Sequence, residues 1–109
     1  MPDFKNPVQV KNSRALVSDG YSAVVGSHTQ NSDLDEVVSI SVPATAGIWF
    51  VQCQTQNVRF TLDGTAPTTG KGFLIKAGDP PISISVEPGS TIKVIEVSAS
   101  AVLEYQFLT

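Results

Sequence analysis

Residues 58–72 read VRFTLDGTAPTTGKG, and this stretch contains the pattern that decides the fold. Apolar and polar side chains alternate through its first six residues, and successive side chains of a β-strand point to opposite faces. The stretch therefore begins with a predicted strand that has one buried face and one solvent-exposed (wet) face. Its buried face would hold Val58, Phe60 and Leu62, and its wet face Arg59, Thr61 and Asp63.

The strand runs into a corner of Asp, Gly, Thr and Pro residues, which we expect to hold shape rather than to perform chemistry. Aspartate at a strand end accepts hydrogen bonds from nearby amides, glycine adopts positive φ angles, and proline keeps the residue before it extended. The alternative is a cation or a sugar bound by the carboxylate and the neighbouring hydroxyls, but a lone carboxylate makes a poor calcium site. The predicted structural-turn residues are Asp63, Gly64, Thr65, Pro67 and Thr68.

Short strands are predicted along the rest of the chain, because the same alternation recurs between turn signals. Two antiparallel hairpins are expected, one around the Asp19-Gly20 turn and one joining residues 36–42 to residues 48–54. The polar residues 27–35 are expected to form the longest loop. A later strand would bury Ile82, Ile84 and Val86. About ten short strands without helical periodicity predict an all-β fold, either an antiparallel β-sandwich or a jelly roll.

The chain has 109 residues, enough for one domain with a core of moderate size. Near the start, two prolines and two asparagines surround a short Val-Gln-Val run, a composition that favours an extended segment. We therefore expect an extended N-terminal arm over residues 1–12 and a single β-sandwich domain over residues 13–109. The first residues contain neither a basic segment nor a long apolar run, so no secretion signal and no membrane span are expected.

The chain is poor in charge, with 16% charged residues against roughly 25% in ordinary soluble domains. Ser, Thr, Gln and Asn must therefore cover much of the surface, and such a surface suits contact with other protein subunits. The net charge is -3 and the Lys and Arg residues are scattered, so no basic stripe is available for nucleic acid. Cys53 is the one cysteine, which excludes an internal disulfide, and its apolar neighbours predict a small buried side chain.

No catalytic, cofactor-binding or metal site is predicted. His28 is the one histidine, and it lies in a polar stretch without a second imidazole or a nucleophile motif nearby. Asp33, Asp35 and Glu36 lack the glycine and the spaced oxygen ligands of a calcium loop, so an acidic surface is favoured over a weak cation site. Ordinary solvated charges are expected at Arg59 and Lys93.

The aromatic residues leave two interpretations open. Trp49 and Phe50 are neighbours in a predicted strand, so their rings must point to opposite faces and at least one must enter the core. The other is then free to face a partner. Core packing of the aromatic residues competes with a flat row of rings that binds a glycan. The possible interface residues are Trp49, Tyr21 and Tyr105.

The corner resembles that of the small sandwich domain appended to chitobiase-type glycosidases. In that domain a D-G-S-x-P-T corner precedes a strand ending in T-I-K-A, and here DGTAPT at residues 63–68 precedes GSTIKVI at residues 89–95. The resemblance spans residues 58–98. It implies a β-sandwich, and it motivates a carbohydrate-binding module as the alternative function.

A second resemblance, to small tailed-phage proteins, covers more of the chain. It rests on VRFTLDGTAPT at residues 58–68, KGF at residues 71–73, the AGD turn at residues 77–79 and the alternating strand at residues 103–107. The resemblance implies a virion protein, made in the host cytoplasm, that serves as a capsid-decorating, head-completion or tail-associated component.

The function expected from this second resemblance is structural and non-enzymatic. The expected partners are further copies of the chain, with a trimer favoured, together with other virion proteins. Neither nucleic acid nor a membrane is expected as a partner, and no cofactor is expected.

Overall fold

The computed structural model describes residues 22–109, which form eight β-strands in two four-stranded sheets. The strands are β1 (Val24–Asn31), β2 (Val38–Ser41), β3 (Ile48–Gln54), β4 (Val58–Thr61), β5 (Phe73–Ile75), β6 (Ile82–Ser85), β7 (Thr91–Glu96) and β8 (Val102–Leu108). This part of the chain contains no helix. The predicted all-β fold is therefore confirmed.

The strand order identifies the architecture as a jelly roll. Sheet one has the order β1-β8-β3-β6 and sheet two the order β2-β7-β4-β5, and every pairing is antiparallel. The first strand pairs with the last, the second with the seventh, the third with the sixth and the fourth with the fifth. Such nested pairing is a long antiparallel ribbon wound into two sheets, which is the eight-stranded jelly roll.

The core lies between the two sheets and is built by the alternating residues that the sequence singles out. Val58 and Phe60 from sheet two are buried, and so are Trp49, Val51 and Cys53 from sheet one. The ring of Trp49 meets that of Phe60 edge to face, with centroids 5.4 Å apart. The thiol of Cys53 donates a hydrogen bond of 3.1 Å to the carbonyl oxygen of Ile75, which confirms the predicted buried side chain.

The arm predicted over residues 1–12 and the Asp19-Gly20 turn lie outside the described residues. The hairpin predicted between residues 36–42 and 48–54 is wrong, because β2 pairs with β7 in sheet two whereas β3 pairs with β6 and β8 in sheet one. The eight strands are those of the described part of the chain, against about ten predicted for the whole. The loop predicted over residues 27–35 is wrong in its first half, because residues 27–31 continue β1. Polar side chains are tolerated there because β1 is an edge strand, held by backbone hydrogen bonds to β8.

Simple alternation predicts the wrong burial for three side chains. Leu62 is 37% exposed, because β4 ends at Thr61 and the chain turns away directly afterwards. Thr61 was expected to be wet but is buried. Ile82 begins the edge strand β6 and is 43% exposed, whereas Ile84 and Val86 are half-buried.

Candidate contact faces

The corner after β4 is held by hydrogen bonds within its own residues. The Asp63 carboxylate accepts a bond of 3.0 Å from the Thr65 amide, and Gly64 adopts a φ angle of +89°. The hydroxyl of Thr61 donates to the carbonyl oxygen of Thr65, which brings the start of the corner back onto the strand. The bond from the Thr65 amide, followed by one from its hydroxyl, lowers the pKa of the Asp63 carboxyl below its ordinary value.

The second half of the corner is a tight turn. The amide of Thr68 donates to the carbonyl of Lys71 at 3.0 Å, and the amide of Lys71 donates back at 3.2 Å. The hydroxyl of Thr68 accepts a bond of 3.2 Å from the amide of Gly70 inside that turn. Pro67 is fully buried and anchors the middle of the corner. Each of these side chains has a conformational role in the loop.

Arg59 fastens this loop to sheet two, so the prediction of an ordinary solvated charge at this position is wrong. Its Nε donates to the carbonyl of Thr69 at 3.0 Å, and its Nη1 donates to the carbonyl of Gly72 at 2.8 Å. Gly72 has a φ angle of +124°, and a Cβ atom there would lie 3.0 Å from the carbonyl oxygen of Phe60. A side chain at position 72 would therefore be strained, both by the φ angle and by the close approach of loop and strand.

The corner therefore covers part of the outer face of sheet two. Arg59 and Thr61 alternate with the core residues Val58 and Phe60, so they point outward, yet the loop leaves Arg59 only half exposed and Thr61 buried. Within residues 22–109 the outer face of sheet one keeps Val24 and Phe50 exposed, and the loop at residues 79–81 reaches only its margin, where the Gln52 amide donates to the carbonyl of Asp79 at 3.3 Å. That difference makes the outer face of sheet one the first candidate for contact with another molecule.

Sheet one also carries very little charge. Its four strands contain no Lys or Arg, and Glu104 is their one carboxylate. The four Lys and Arg residues of the described part of the chain, Arg59, Lys71, Lys76 and Lys93, lie in sheet two or in loops. We call the outward side chains of these four strands the sheet-one face. Its most exposed members are Val24, His28, Gln30, Phe50, Gln54, Ser83 and Ser85.

The middle of the sheet-one face is a shallow apolar depression of about 380 Å³, which we call the sheet-one groove. Phe50 lines the groove and is 39% exposed, while Val24 on the edge strand also lines it and is 64% exposed. Pro81 and Leu108 line other parts of the groove. Phe50 lies on the outer face and Trp49 in the core, which confirms that these neighbouring rings point in opposite directions.

A polar cluster borders the sheet-one groove. Nε2 of His28 lies 2.6 Å from Oε1 of Glu104, and the side-chain amide of Gln30 donates to Oε2 of Glu104 at 2.5 Å. These two bonds, that from His28 first, lower the pKa of the Glu104 carboxyl. His28 is therefore part of a strand and of a side-chain cluster, and its predicted position in a solvated loop is wrong.

An irregular pairing of β1 brings His28 to this cluster. Val25 pairs with Phe107 and Thr29 with Tyr105, so β1 advances four residues where β8 advances two. The side chain of Gln106 donates to the carbonyl oxygens exposed by this bulge, at 3.0 Å for that of Gly26. Such bulges re-aim side chains at sheet edges. No pattern in the polar residues 27–31 signals this arrangement.

A second exposed apolar site lies beside the corner, and we call it the Phe73 end. Phe73 on the edge strand β5 is 66% exposed, although its ring touches that of Phe60 with centroids 5.5 Å apart. Leu62, the residue that leaves β4 early, lies across a depression of about 430 Å³ from it. Lys71 and Asp63 line the same depression. The alternation pattern of the sequence did not reveal this site.

The predicted interface residues separate in the structure. Trp49 is fully buried and has no surface to offer a partner or a glycan, because it fills the centre of the core. Its indole N–H has no hydrogen-bond partner among the described residues. Tyr105 is half-buried between the rings of Trp49 and Phe107, and Tyr21 lies outside the described residues. Phe50 is the ring of this region that is exposed.

Groups for metal binding are sparse over the region that the structure covers. Residues 22–109 contain no cluster of three His, Cys, Asp or Glu side chains that could hold a metal ion. Within the same range there is no helix of the length and apolarity required to cross a membrane.

Comparisons with known proteins do not assign the chain to a family. No protein-family model matches the chain, and no curated protein matches it. Among solved structures, the chain is similar to one of Bacillus endospore appendages, which form a novel family of disulfide-linked pili. The identity is 13%, the match covers 89% of this chain and 95% of the other, and the TM-score is 0.32. A likeness at this level carries no functional assignment.

Proposed function

We propose that this protein is a non-enzymatic structural component of a bacteriophage particle that acts by self-association. The observation that carries the proposal is the sheet-one face, on which Phe50 and Val24 are exposed among the described residues and whose strands include a single carboxylate. The cores of protein interfaces are depleted in charged residues and enriched in aromatic ones. Exposed apolar surface of this kind marks interaction sites on soluble proteins.

The size of the sheet-one face determines what kind of contact it can make. Four strands and a longest strand of seven or eight residues span roughly 19 Å by 25 Å, or on the order of 500 Å². Covering this face with a partner surface of equal size buries about 1,000 Å² in total, which is the lower limit for a specific interface. One contact of this size is weak, so we expect each copy to make more than one, as in a symmetric trimer or a particle surface.

The place of the protein in the virion is part of the proposal and is supported by the resemblance of residues 58–68, 71–73, 77–79 and 103–107 to small tailed-phage proteins. In capsid decoration, head completion and a tail-associated role alike, we expect a rigid module whose surfaces bind other protein subunits. The corner contributes to that rigidity, because Arg59 and Thr61 fasten it to sheet two. Other virion proteins are the second expected class of partner.

A carbohydrate-binding module is the second candidate, and one observation favours it. Phe73 presents an exposed ring beside the polar side chains of Asp63, Thr65 and Lys71, an arrangement that suits a sugar ring. Against it, Trp49 is buried, so the expected row of planar rings loses its largest member. The self-association proposal uses more of the exposed surface and is the one we favour.

The test combines two measurements. Mass spectrometry of density-purified particles from the host that carries the gene should identify the chain, and light scattering of the purified protein should show a mass that rises with concentration. A protein that is absent from purified particles and remains a monomer at about 1 mM, where weak contacts become populated, contradicts the proposal. A glycan array that returns strong binding under those conditions supports the second candidate instead.

A further inference from the structure

We propose that the sheet-one groove receives the Phe73 end of a second copy of the chain, so that copies associate head to tail through two different surfaces. The inference rests on the proposed function, because it names the partner and the residues of the self-association that the previous subsection proposes. It makes the groove the acceptor and Phe73 the anchor.

Exposed apolar side chains are present on both sides of the proposed contact. Phe73 is 66% exposed and Val24 is 64% exposed, the largest values among the big apolar side chains of the described residues. Phe73 is accompanied by Leu62 at the end of β4, and Val24 is accompanied by Phe50 in the groove. The surface thus has one largely exposed aromatic side chain at the Phe73 end and one shallow apolar depression on sheet one, and a contact of this kind pairs an aromatic side chain with an apolar pocket.

A charged side chain lies beside each of the two surfaces. The groove is bordered by Glu104, the one carboxylate of the sheet-one strands. Lys71 and Asp63 line the same depression as Phe73, and the Asp63 carboxylate accepts a hydrogen bond from the Thr65 amide within the corner, so Lys71 is the charge we assign to the contact. Seating Phe73 over Phe50 therefore places an ammonium group near a carboxylate whose low pKa keeps it ionised. Opposite charges at the rim of a contact set its orientation and register.

The two surfaces belong to different sheets. The groove lies on the outer face of sheet one, whereas Phe73 belongs to the edge strand of sheet two and packs beside the core residue Phe60. The two surfaces face different directions on a rigid sandwich, so they cannot meet within one molecule. A contact between two unlike patches is heterologous, and its repetition closes a ring or extends a filament. A closed ring of three agrees with the trimer that the sequence favours.

The test measures the self-association constant of single-site variants by sedimentation equilibrium. Phe73→Ser should weaken association about thirty-fold or more, the loss typical of a hot-spot aromatic residue. Phe50→Gln, on the other side of the contact, should have an effect of similar size. Leu74→Ser is the matched control, because Leu74 is an exposed apolar residue on the same edge strand but points to the opposite face. The control should associate like the wild-type protein.

A charge exchange tests the register of the contact. Lys71→Glu and Glu104→Lys should each weaken association by about ten-fold, and the double variant should recover most of that loss. Thermal unfolding of each variant at low concentration shows whether the fold is intact. Variants of Phe73 are informative because that side chain is largely exposed, and the groove variant Phe50→Gln provides an independent reading if Phe73→Ser fails to fold.

The outcomes distinguish this inference from the proposed function. Wild-type association that survives both Phe73→Ser and Phe50→Gln overturns the inference and leaves the proposed function in place. A monomeric wild-type protein that nevertheless binds purified particles through Phe73 also overturns it, because the occupant of the contact is then another virion protein. A wild-type protein that neither associates nor occurs in particles contradicts both.

Discussion

The guanidinium Nη1 of Arg59 donates a hydrogen bond of 2.8 Å to the carbonyl oxygen of Gly72, thirteen positions later in the chain. The Nε of the same side chain donates to the carbonyl of Thr69 at 3.0 Å. Arg59 thus binds two carbonyl oxygens of the second half of the corner. Because hydrogen bonds from a charged donor contribute more than neutral ones, this side chain is central to the rigidity of the loop.

Arg59→Ala should lower the free energy of unfolding by about 1–3 kcal/mol, since two loop carbonyls lose a charged donor and the loop loosens from sheet two. Arg59→Lys should recover only part of this, because an ammonium group cannot reproduce the two divergent N–H directions of a guanidinium. Urea unfolding at pH 7 measures both values. Lys76→Ala, an exposed loop substitution, is the control and should change stability by less than about 0.5 kcal/mol. Equal stability of Arg59→Ala and Lys76→Ala would show that the loop bonds contribute nothing.

Gly72→Ala should destabilise the domain by about 2–4 kcal/mol, because its φ of +124° is open only to glycine and the new Cβ would press on the carbonyl of Phe60. Gly70→Ala tests the same substitution two residues earlier in the same loop. Nothing lies within 4 Å of a Cβ placed at Gly70, so this variant should stay within about 0.5 kcal/mol of wild type. Thermal unfolding of the pair measures the difference. Similar losses in the two variants would mean that the close contact at Gly72 is not required.

The stability of the domain should fall on acidification, because two carboxyl groups have lowered pKa values in the folded state. That of Asp63 is lowered chiefly by the amide of Thr65, and that of Glu104 chiefly by His28. A carboxyl whose folded pKa lies below its unfolded value contributes stability above the unfolded pKa, near 4, and loses it as the pH falls through the folded value. Urea midpoints should therefore be level from pH 7 to about pH 5 and decline below that.

The variants Asp63→Asn and Glu104→Gln assign this acid sensitivity. Each retains an oxygen that accepts a hydrogen bond but removes the titration, so each should reduce the decline between pH 5 and pH 3. The measurements are made at low protein concentration, so that self-association does not contribute. If the decline is unchanged in the double variant, the acid sensitivity belongs to other carboxyl groups.

Cys53 should be inert towards an aromatic disulfide reagent in the native protein. Its side chain has no exposed surface, and burial raises the pKa of its thiol, which lowers the reactive thiolate fraction. Reaction then requires unfolding and should be at least about a thousand-fold slower than in denaturant, as expected for a domain with several kcal/mol of stability. Ser83→Cys places a thiol on the exposed sheet-one face and should react at once. Rapid labelling of Cys53 would contradict the position of β3 in the core.

Period-two alternation predicted the core well, because it reports which side of a strand is buried. Val58, Phe60 and Cys53 lie where the pattern places them. The pattern left open which of Trp49 and Phe50 enters the core, and the structure buries Trp49. The pattern failed where a strand ends or lies at an edge. Leu62 is exposed because β4 stops one residue earlier, and that stop depends on the hydrogen bonds of the corner.

The candidate contact faces were less predictable, since they depend on strand order. Composition indicates a charge-poor surface somewhere on the molecule. Only the pairing of β1, β8, β3 and β6 places the uncharged strands side by side, and no local pattern encodes that order. The role of Arg59 was hidden for the same reason, because its acceptors lie ten and thirteen residues away in the chain. The placement of His28 beside Glu104 depends on the bulge in β1.

The most direct measurement is the sedimentation velocity of wild-type protein and Phe50→Lys over a range of concentrations. A lysine at Phe50 removes the exposed ring and places a charge in the centre of the sheet-one face, whereas Leu74→Lys places the same charge on the outer face of sheet two. If copies associate through the sheet-one face, wild type and Leu74→Lys should sediment faster as concentration rises, and Phe50→Lys should remain a monomer throughout. Concentration-dependent association of Phe50→Lys equal to that of the wild-type protein would contradict it.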